Sequence, residues 1–362
     1  MIFARKFVSI FFCTKYLQST LPFFLFLNVA YVCKMLTGKE LILATKPYAK
    51  EIRWKSWYYT LSGFILLIAS ILGTYYMPSI WGKLLSSVFA AMMLSRVFII
   101  FHDYQHHAIL QKSIPANILF TIFGIYMITP PGIWKRSHDH HHNHNAKLFS
   151  ASIGSFPIMT RQKFTEAPKN ERFYYLAIRH PLNIFFAYFT TFMYGICISS
   201  FLSSPRRHWD SLVVLILHYA IAVFLFVHFG WLTWFLTFFL PFFLSHMLGS
   251  YLFYAQHNFP GVVYRNNVDW QYANAALESS SFMAMNPFLN WVTANIGYHH
   301  IHHLNSRIPF YRLPEAMKNI PELQTTQVTT LKPSDIIACL RLKVWDPDQN
   351  KMIGFAEMEG VR

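Results

Sequence analysis

Acidic residues are scarce in this chain: 16 Asp and Glu stand against 31 Lys and Arg in 362 residues, and charged residues together make up only 13%. Four cysteines, Cys13, Cys33, Cys197 and Cys339, lie far apart without paired spacing, which excludes a disulfide framework and a cysteine-based zinc site. Neither an internal repeat nor a low-complexity segment occurs. The net charge of +15 comes without a basic stripe carrying recognition elements, so it is not the footprint of a nucleic-acid binder. What the chain has in quantity is apolar surface, with 54% hydrophobic residues and 36 phenylalanines, a membrane composition. In a multi-pass membrane protein excess Lys and Arg collect in cytoplasmic loops, and the positive charge reads as topology.

The second abundance is histidine. His299, His300, His302 and His303 put four imidazoles into five residues. On a helix His299, His302 and His303 fall at i, i+3 and i+4 and share one face. His138, His141 and His142 repeat that spacing, and His102, His106 and His107 give a third box. With His257, these make ten candidate metal ligands. Ten are too many for one tetrahedral zinc, which takes three or four, and suit two metals; among redox metals, iron accepts imidazole well. The boxes contain no glutamate, so Asp103 and Asp139 are expected to orient imidazoles rather than bind metal. His140, His144 and His300 lie off the repeated face and read as hydrogen-bonding neighbours. His218 and His246, in predicted spans, read as partners of each other or as substrate-facing groups.

Apolar segments set the frame. Residues 21–32 are too few to cross about 30 Å of hydrocarbon at about 1.5 Å per residue and are expected at the interface, within an N-terminal segment, 1–53, of unassigned role. Residues 57–77 and 84–101 are full spans, the first flanked by Trp54, Trp57, Tyr58 and Tyr59 and by Tyr75 and Tyr76 as aromatic belts. Arg96 is expected to snorkel or to pair with Asp103. Residues 118–129, bracketed by prolines, are too short to cross. Three apolar stretches follow, 182–202, 212–230 and 232–254. If all three crossed, the third box would lie opposite the second. Arg206 and Arg207 follow the first stretch, so 182–202 is expected to stay at the cytosolic interface while 211–229 and 232–253 form a hairpin. The expected fold is an all-α integral membrane protein with four transmembrane helices. A membrane domain over 54–315 carries all boxes on the cytosolic side, and 316–362 form a cytosolic tail with a turn at Asp346-Pro347-Asp348.

Taken in order, His102-Asp103-x-x-His106, then Trp134-Lys135-Arg136-Ser137-His138-x-x-His141-His142-x-x-Asn145, then Gln256-His257, then Asn295-Ile296-Gly297-Tyr298-His299-His300-Ile301-His302-His303-Leu304-Asn305 closely resemble the membrane fatty acid desaturases, nearest the acyl-lipid delta-12 type. The resemblance extends over roughly residues 54–350. It implies a cytosolic helical cap holding two irons, O2 as co-substrate, electrons from a ferredoxin or a b-type cytochrome, and insertion of a cis double bond into a fatty acyl lipid, acyl-CoA or acyl-carrier substrate. It also implies that His257 is the ligand between the second and third boxes. His107 stands where many members carry a small residue, leaving open whether His106 or His107 binds. The first fifty residues have no counterpart. Two other readings compete: a hydroxylase or ketolase on the same scaffold, and a histidine-rich metal transporter, whose ligands would sit near the midplane on broken helices.

Overall fold

The computed structural model describes residues 35–148 and 154–359. Cys13, Cys33 and the apolar segment 21–32 lie outside the described residues. Residues 38–359 form a mostly helical body.

Helices α1 (Arg53–Tyr76) and α2 (Ile80–Gln105) make an antiparallel pair. The buried face of α1 is Ser56, Thr60, Gly63, Leu67, Ser70 and Thr74, a stripe of mostly small residues at spacings of four and three. Leu61, Ile65, Ile68 and Leu72 occupy the exposed face. A membrane helix is built this way: small residues let two backbones approach, and large apolar ones meet lipid. At Gly63 a β-carbon would come within 3.1 Å of Val97 Cγ2, a tight contact that the missing side chain avoids where α2 packs against α1. Ser79 caps α2, accepting a hydrogen bond from Gly82 N. Arg96 neither snorkels nor meets Asp103. It is buried, donates to the Trp291 carbonyl and lies 4.7 Å from the Trp291 ring centroid, while Asp103, in the last turn of α2, accepts from Phe310 N.

Helix α3 (Ile114–Tyr126) has 13 residues, about 20 Å, and is bent by 92° against α4 (Pro131–Asn143), which carries the second histidine box. Helix α5 (Lys169–Ile178) leads into a short helix, Pro181–Phe185, and a π-helical stretch, Tyr188–Ser199.

Among the described residues, three helical stretches are long and apolar enough to cross a membrane, Arg53–Tyr76, Ile80–Gln105 and Trp209–His257, with the bent pair Ile114–Tyr126 and Pro131–Asn143 a fourth if taken as one span. The third, 49 residues long, would reach about 73 Å if straight. It is not straight. Helix α6 (Trp209–Trp234) breaks at Gly230, whose φ of 80° suits glycine, and the chain returns through Phe235–Phe239 and α7 (Leu240–His257). Ring centroids of Phe226 and Trp234 are 5.9 Å apart and those of His218 and Phe242 4.9 Å, pairs placed symmetrically about Gly230. That is an antiparallel hairpin. His218 and His246 do not bond each other within it: His218 meets the Tyr188 hydroxyl at 2.6 Å, and His246 Nδ1 lies 2.7 Å from the Phe242 carbonyl.

The structure is not purely helical. Phe282–Ala284 pairs in parallel with Val328–Thr330, and Val344–Asp346 pairs with Lys351–Ile353 as a hairpin around the predicted turn. Each ladder is three residues long and stitches the C-terminal region down. Cys339, Trp345 and Met352 bury themselves with Leu252, Ala255, Phe259 and Val262 at the end of α7.

Candidate metal centre

Histidines from four places in the chain converge where α2, α4, α7 and α8 (His299–Leu304) end or meet. They divide into two groups. His102, His106, His138, His142 and His302 form one; His141, His257, His299 and His303 form the other, and within each group the nearest ring nitrogens lie within 4.8 Å of one another.

The division follows from helix geometry. Residues at i and i+4 differ by about 40° around a helix, whereas i+3 and i+4 differ by about 100°. In α4, His138 and His142 therefore face one group and His141 the other. In α8 the roles are exchanged, with His299 and His303 in the second group and His302 in the first. The second and third boxes each lend their middle histidine to the opposite group, so the two groups are interlocked.

The facing atoms are Nε2 throughout. His138 lies 2.8 Å from His102, 2.9 Å from His106 and 3.2 Å from His142, and His302 lies 3.2 Å from His142. In the second group His257 lies 3.1 Å from His141 and 2.8 Å from His299, and His303 lies 3.2 Å from His299. A metal–imidazole bond of about 2.1 Å sets donors at right angles about 3.0 Å apart. The observed separations scatter around that value.

Protonation makes the same point. His257 has a carbonyl at its other nitrogen, Ser279 O at 3.1 Å, so Nδ1 donates there and the Nε2 lone pair points into the group. Nδ1 of His102, His142, His299, His302 and His303 has no hydrogen-bond partner among the described residues. Burial first, and the neighbouring imidazoles second, hold His106, His138, His142, His299 and His303 well below the ordinary histidine range, and His141 and His302 likewise. Neutral imidazoles crowded Nε2 to Nε2 cannot satisfy one another with one proton each. A cation between them resolves the conflict, and the donor sets fit one cation each.

Not every candidate converges. His107 is exposed, sits at φ 58° where α2 has ended, and belongs to neither group. His300 points away, its Nε2 donating to the Leu323 carbonyl at 3.0 Å; burial pushes its pKa down to about 3. His140 and His144 stack on each other. Asp103 stands 3.6 Å from His102 Nδ1 and accepts from Phe310 N, so it braces the end of α2. Asp139 instead faces outward in an ion pair with Lys135 and orients no imidazole.

Several residues that shape the centre carry no spacing signal. Trp134 stacks on His138 with centroids 4.8 Å apart, and Phe101 and Phe98 pack behind it. Phe253 covers His141 and His257. The hydroxyls of Tyr264 and Tyr272 donate to the carbonyls of His257 and His303. Phe101 directly precedes the first box and Trp134 belongs to the motif around the second; the others stand beside no box in the sequence.

Residues 78–332, which contain all ten candidate histidines, match the family model described as fatty acid desaturase. The chain is 30% identical over 278 residues to a fatty acid desaturase of Bacillus subtilis (strain 168), covering 76% of this chain and 78% of that one. It is 26% identical over 279 residues to an sn-1 oleoyl-lipid 12-desaturase of Synechocystis sp., covering 74% and 76%. It is 23% identical over 266 residues to an sn-1 acyl-lipid omega-3 desaturase (ferredoxin) of Nostoc sp. (strain 36), covering 71% of each.

Proposed function

Because the chain belongs to the fatty acid desaturase family and is therefore an oxidoreductase, we propose that it inserts a cis double bond into the acyl chain of a membrane lipid at a two-iron centre, using O2 and two external electrons. The observation that carries this reading is the paired convergence of five and four Nε2 atoms. An unactivated methylene pair offers no acidic proton, so acid–base chemistry cannot remove its hydrogens. Iron bound by His102, His106, His138, His142 and His302 and by His141, His257, His299 and His303 supplies the redox chemistry and the O2 activation. The balance is one –CH2–CH2– unit, O2, two electrons and two protons giving –CH=CH– and two waters.

The chain's own residues hold and dry this centre. Trp134, Phe98, Phe101 and Phe253 line it with apolar rings, excluding water and giving an acyl chain a surface of its own kind. A narrow apolar crevice bordered by Phe98, Ile99, Gly249 and Leu252 lies beside the helices that carry His102 and His257, a course for a chain arriving from lipid. Two of the relatives are an oleoyl-lipid and an acyl-lipid desaturase, and the second is named with ferredoxin. They support an acyl-lipid substrate here, with a ferredoxin or a b-type cytochrome as donor.

The topology belongs to the same reading. Residues 57–77, 84–101, 211–229 and 232–253 cross; 118–129 and 182–202 do not, and the boxes face the cytosol. Support for 182–202 comes from both of its ends. Before it, Arg179 donates to Asn258, next to His257; after it, Asp210 accepts from Gly132 N and Arg136 approaches His208, on the helix that carries His138. Contacts from both ends of the segment to ligand-bearing elements support a segment that stays on one side.

Lipid analysis of a host expressing the protein tests the function. Acyl chains two mass units lighter, with no oxygen gained, are expected; chains carrying a new hydroxyl or keto oxygen would replace desaturation with the hydroxylase or ketolase reading.

A further inference from the structure

Segment 154–180 contributes no histidine to either group, yet it sends one side chain to the end of α7. Arg179 follows α5 and is fully buried. Its fork is used on both sides: Nη1 donates to the Pro157 carbonyl at 2.9 Å and Nη2 to Asn258 Oδ1 at 2.6 Å. The guanidinium lies 5.3 Å from the Tyr254 ring centroid and 5.7 Å from that of Tyr175. All these partners are neutral. A buried cation held by neutral acceptors and ring faces loses hydration without gaining a counter-ion, which costs stability unless the geometry it imposes is needed.

What it imposes lies beside His257. This histidine is the last residue of α7, and Asn258 is its C-cap, with φ −136° and ψ 81°. A helix end has run out of backbone partners and frays unless side chains pin it. Asn258 is pinned twice, by Arg179 at its oxygen and through its own Nδ2, which donates to the Cys339 carbonyl at 2.7 Å. Tyr254, three residues before His257, is held by the same guanidinium. In the second group His141 and the pair His299 and His303 ride on α4 and α8; His257 alone sits at a terminus held by a charged side chain from a segment without ligands.

We propose that Arg179 is a positioning residue for the second metal site, fixing the end of α7 through Asn258 and Tyr254 so that His257 Nε2 meets His141 and His299. The inference rests on the two-iron reading above. Ligand-orienting contacts of this kind are worth about 10–100-fold in metal affinity. Lysine in its place keeps the charge but cannot reach Pro157 O and Asn258 Oδ1 together.

The test uses the full-length, iron-loaded protein in detergent, titrated with a ferrous chelator, with iron per chain and the melting temperature of the metal-free form both recorded. Wild type is expected to hold two irons. Arg179→Gln and Asn258→Ala are expected to lose one iron at about 10–100-fold lower chelator while keeping the other, with Arg179→Lys between them. The metal-free melting temperature of Asn258→Ala should fall, since Arg179 loses an acceptor and the Cys339 carbonyl a donor, so iron is compared at a temperature where the metal-free forms of wild type and variant are both folded. Retention of both irons at wild-type affinity, or release of both together, overturns the proposal. If Arg179→Gln does not fold, Asn258→Ala decides by the same criteria. A wild type that fails to hold two irons overturns the metal reading itself, a different result from any variant effect.

Discussion

His142 and His303 stack face to face, with ring centroids 4.2 Å apart and planes 16° from parallel, although they belong to different groups. The stack joins the two sets of nitrogens. His142 Nε2 also lies 3.2 Å from both His138 and His302. Replacing it removes a donor from the first group and the packing surface of a donor in the second.

His142→Ala is therefore expected to lower iron at both sites and to cut desaturation at least about 100-fold, since lost ligands and their supports each cost 10–100-fold. His102→Ala, whose ring touches only first-group imidazoles and Trp134, should spare the second iron. Iron per chain in the two purified variants separates these outcomes; equal losses in both would contradict the stacked arrangement as the link.

The choice between His106 and His107 has a direct test. His106 Nε2 lies 2.9 Å from His138, whereas His107 is exposed beyond the helix end. His106→Ala should abolish activity, and His107→Ala should keep it within about two-fold, as surface substitutions usually do. His300→Ala should keep its iron but lower the melting temperature, because the Leu323 carbonyl loses its donor at a cost of about 1–3 kcal/mol. Inactivity of His107→Ala would move the ligand assignment.

Acid should unload and destabilise the protein. Burial holds His106, His138, His141, His142, His299, His302 and His303 below the ordinary imidazole range. Between those depressed values and about 6.5 the unfolded chain binds more protons than the folded one, so stability rises with pH and falls as pH drops below about 6.5. Iron competes with the same protons and adds to the slope. Melting temperatures measured from about pH 5 to 8, with and without iron, should climb with pH, more steeply with iron; a flat or falling profile contradicts the neutral-imidazole centre.

Segment 182–202 decides the topology. A single cysteine at Ser204 in a cysteine-free background should resist a membrane-impermeant thiol reagent on intact cells and react once the membrane is opened. Labelling from outside would leave the two arginines that follow on the wrong face and break the four-span arrangement.

Much of this centre could be read from the chain because histidine spacing maps directly onto helix faces. The i, i+3, i+4 boxes and the outward His300 follow from residue type and period, whereas the isolated His257 came as a ligand only with the family resemblance. Which group each histidine joins could not be read. Spacing put His138, His141 and His142 on one shared face, but the roughly 100° between i+3 and i+4 turns His141 to the other group, and the partner it meets is set by how α4 packs against α7 and α8. Arg179 gave no signal either: it is one of 31 basic residues, and its importance comes from a fold that buries it beside Asn258. The C-terminal strands were hidden for a similar reason, since three-residue ladders are stabilised by the core they cover rather than by their own pattern.

The most direct measurement is the metal content of the purified wild-type protein. Five and four converging imidazoles predict two irons per chain, both removed by chelation and both restored by ferrous iron. One zinc and no iron per chain would contradict the account at its centre.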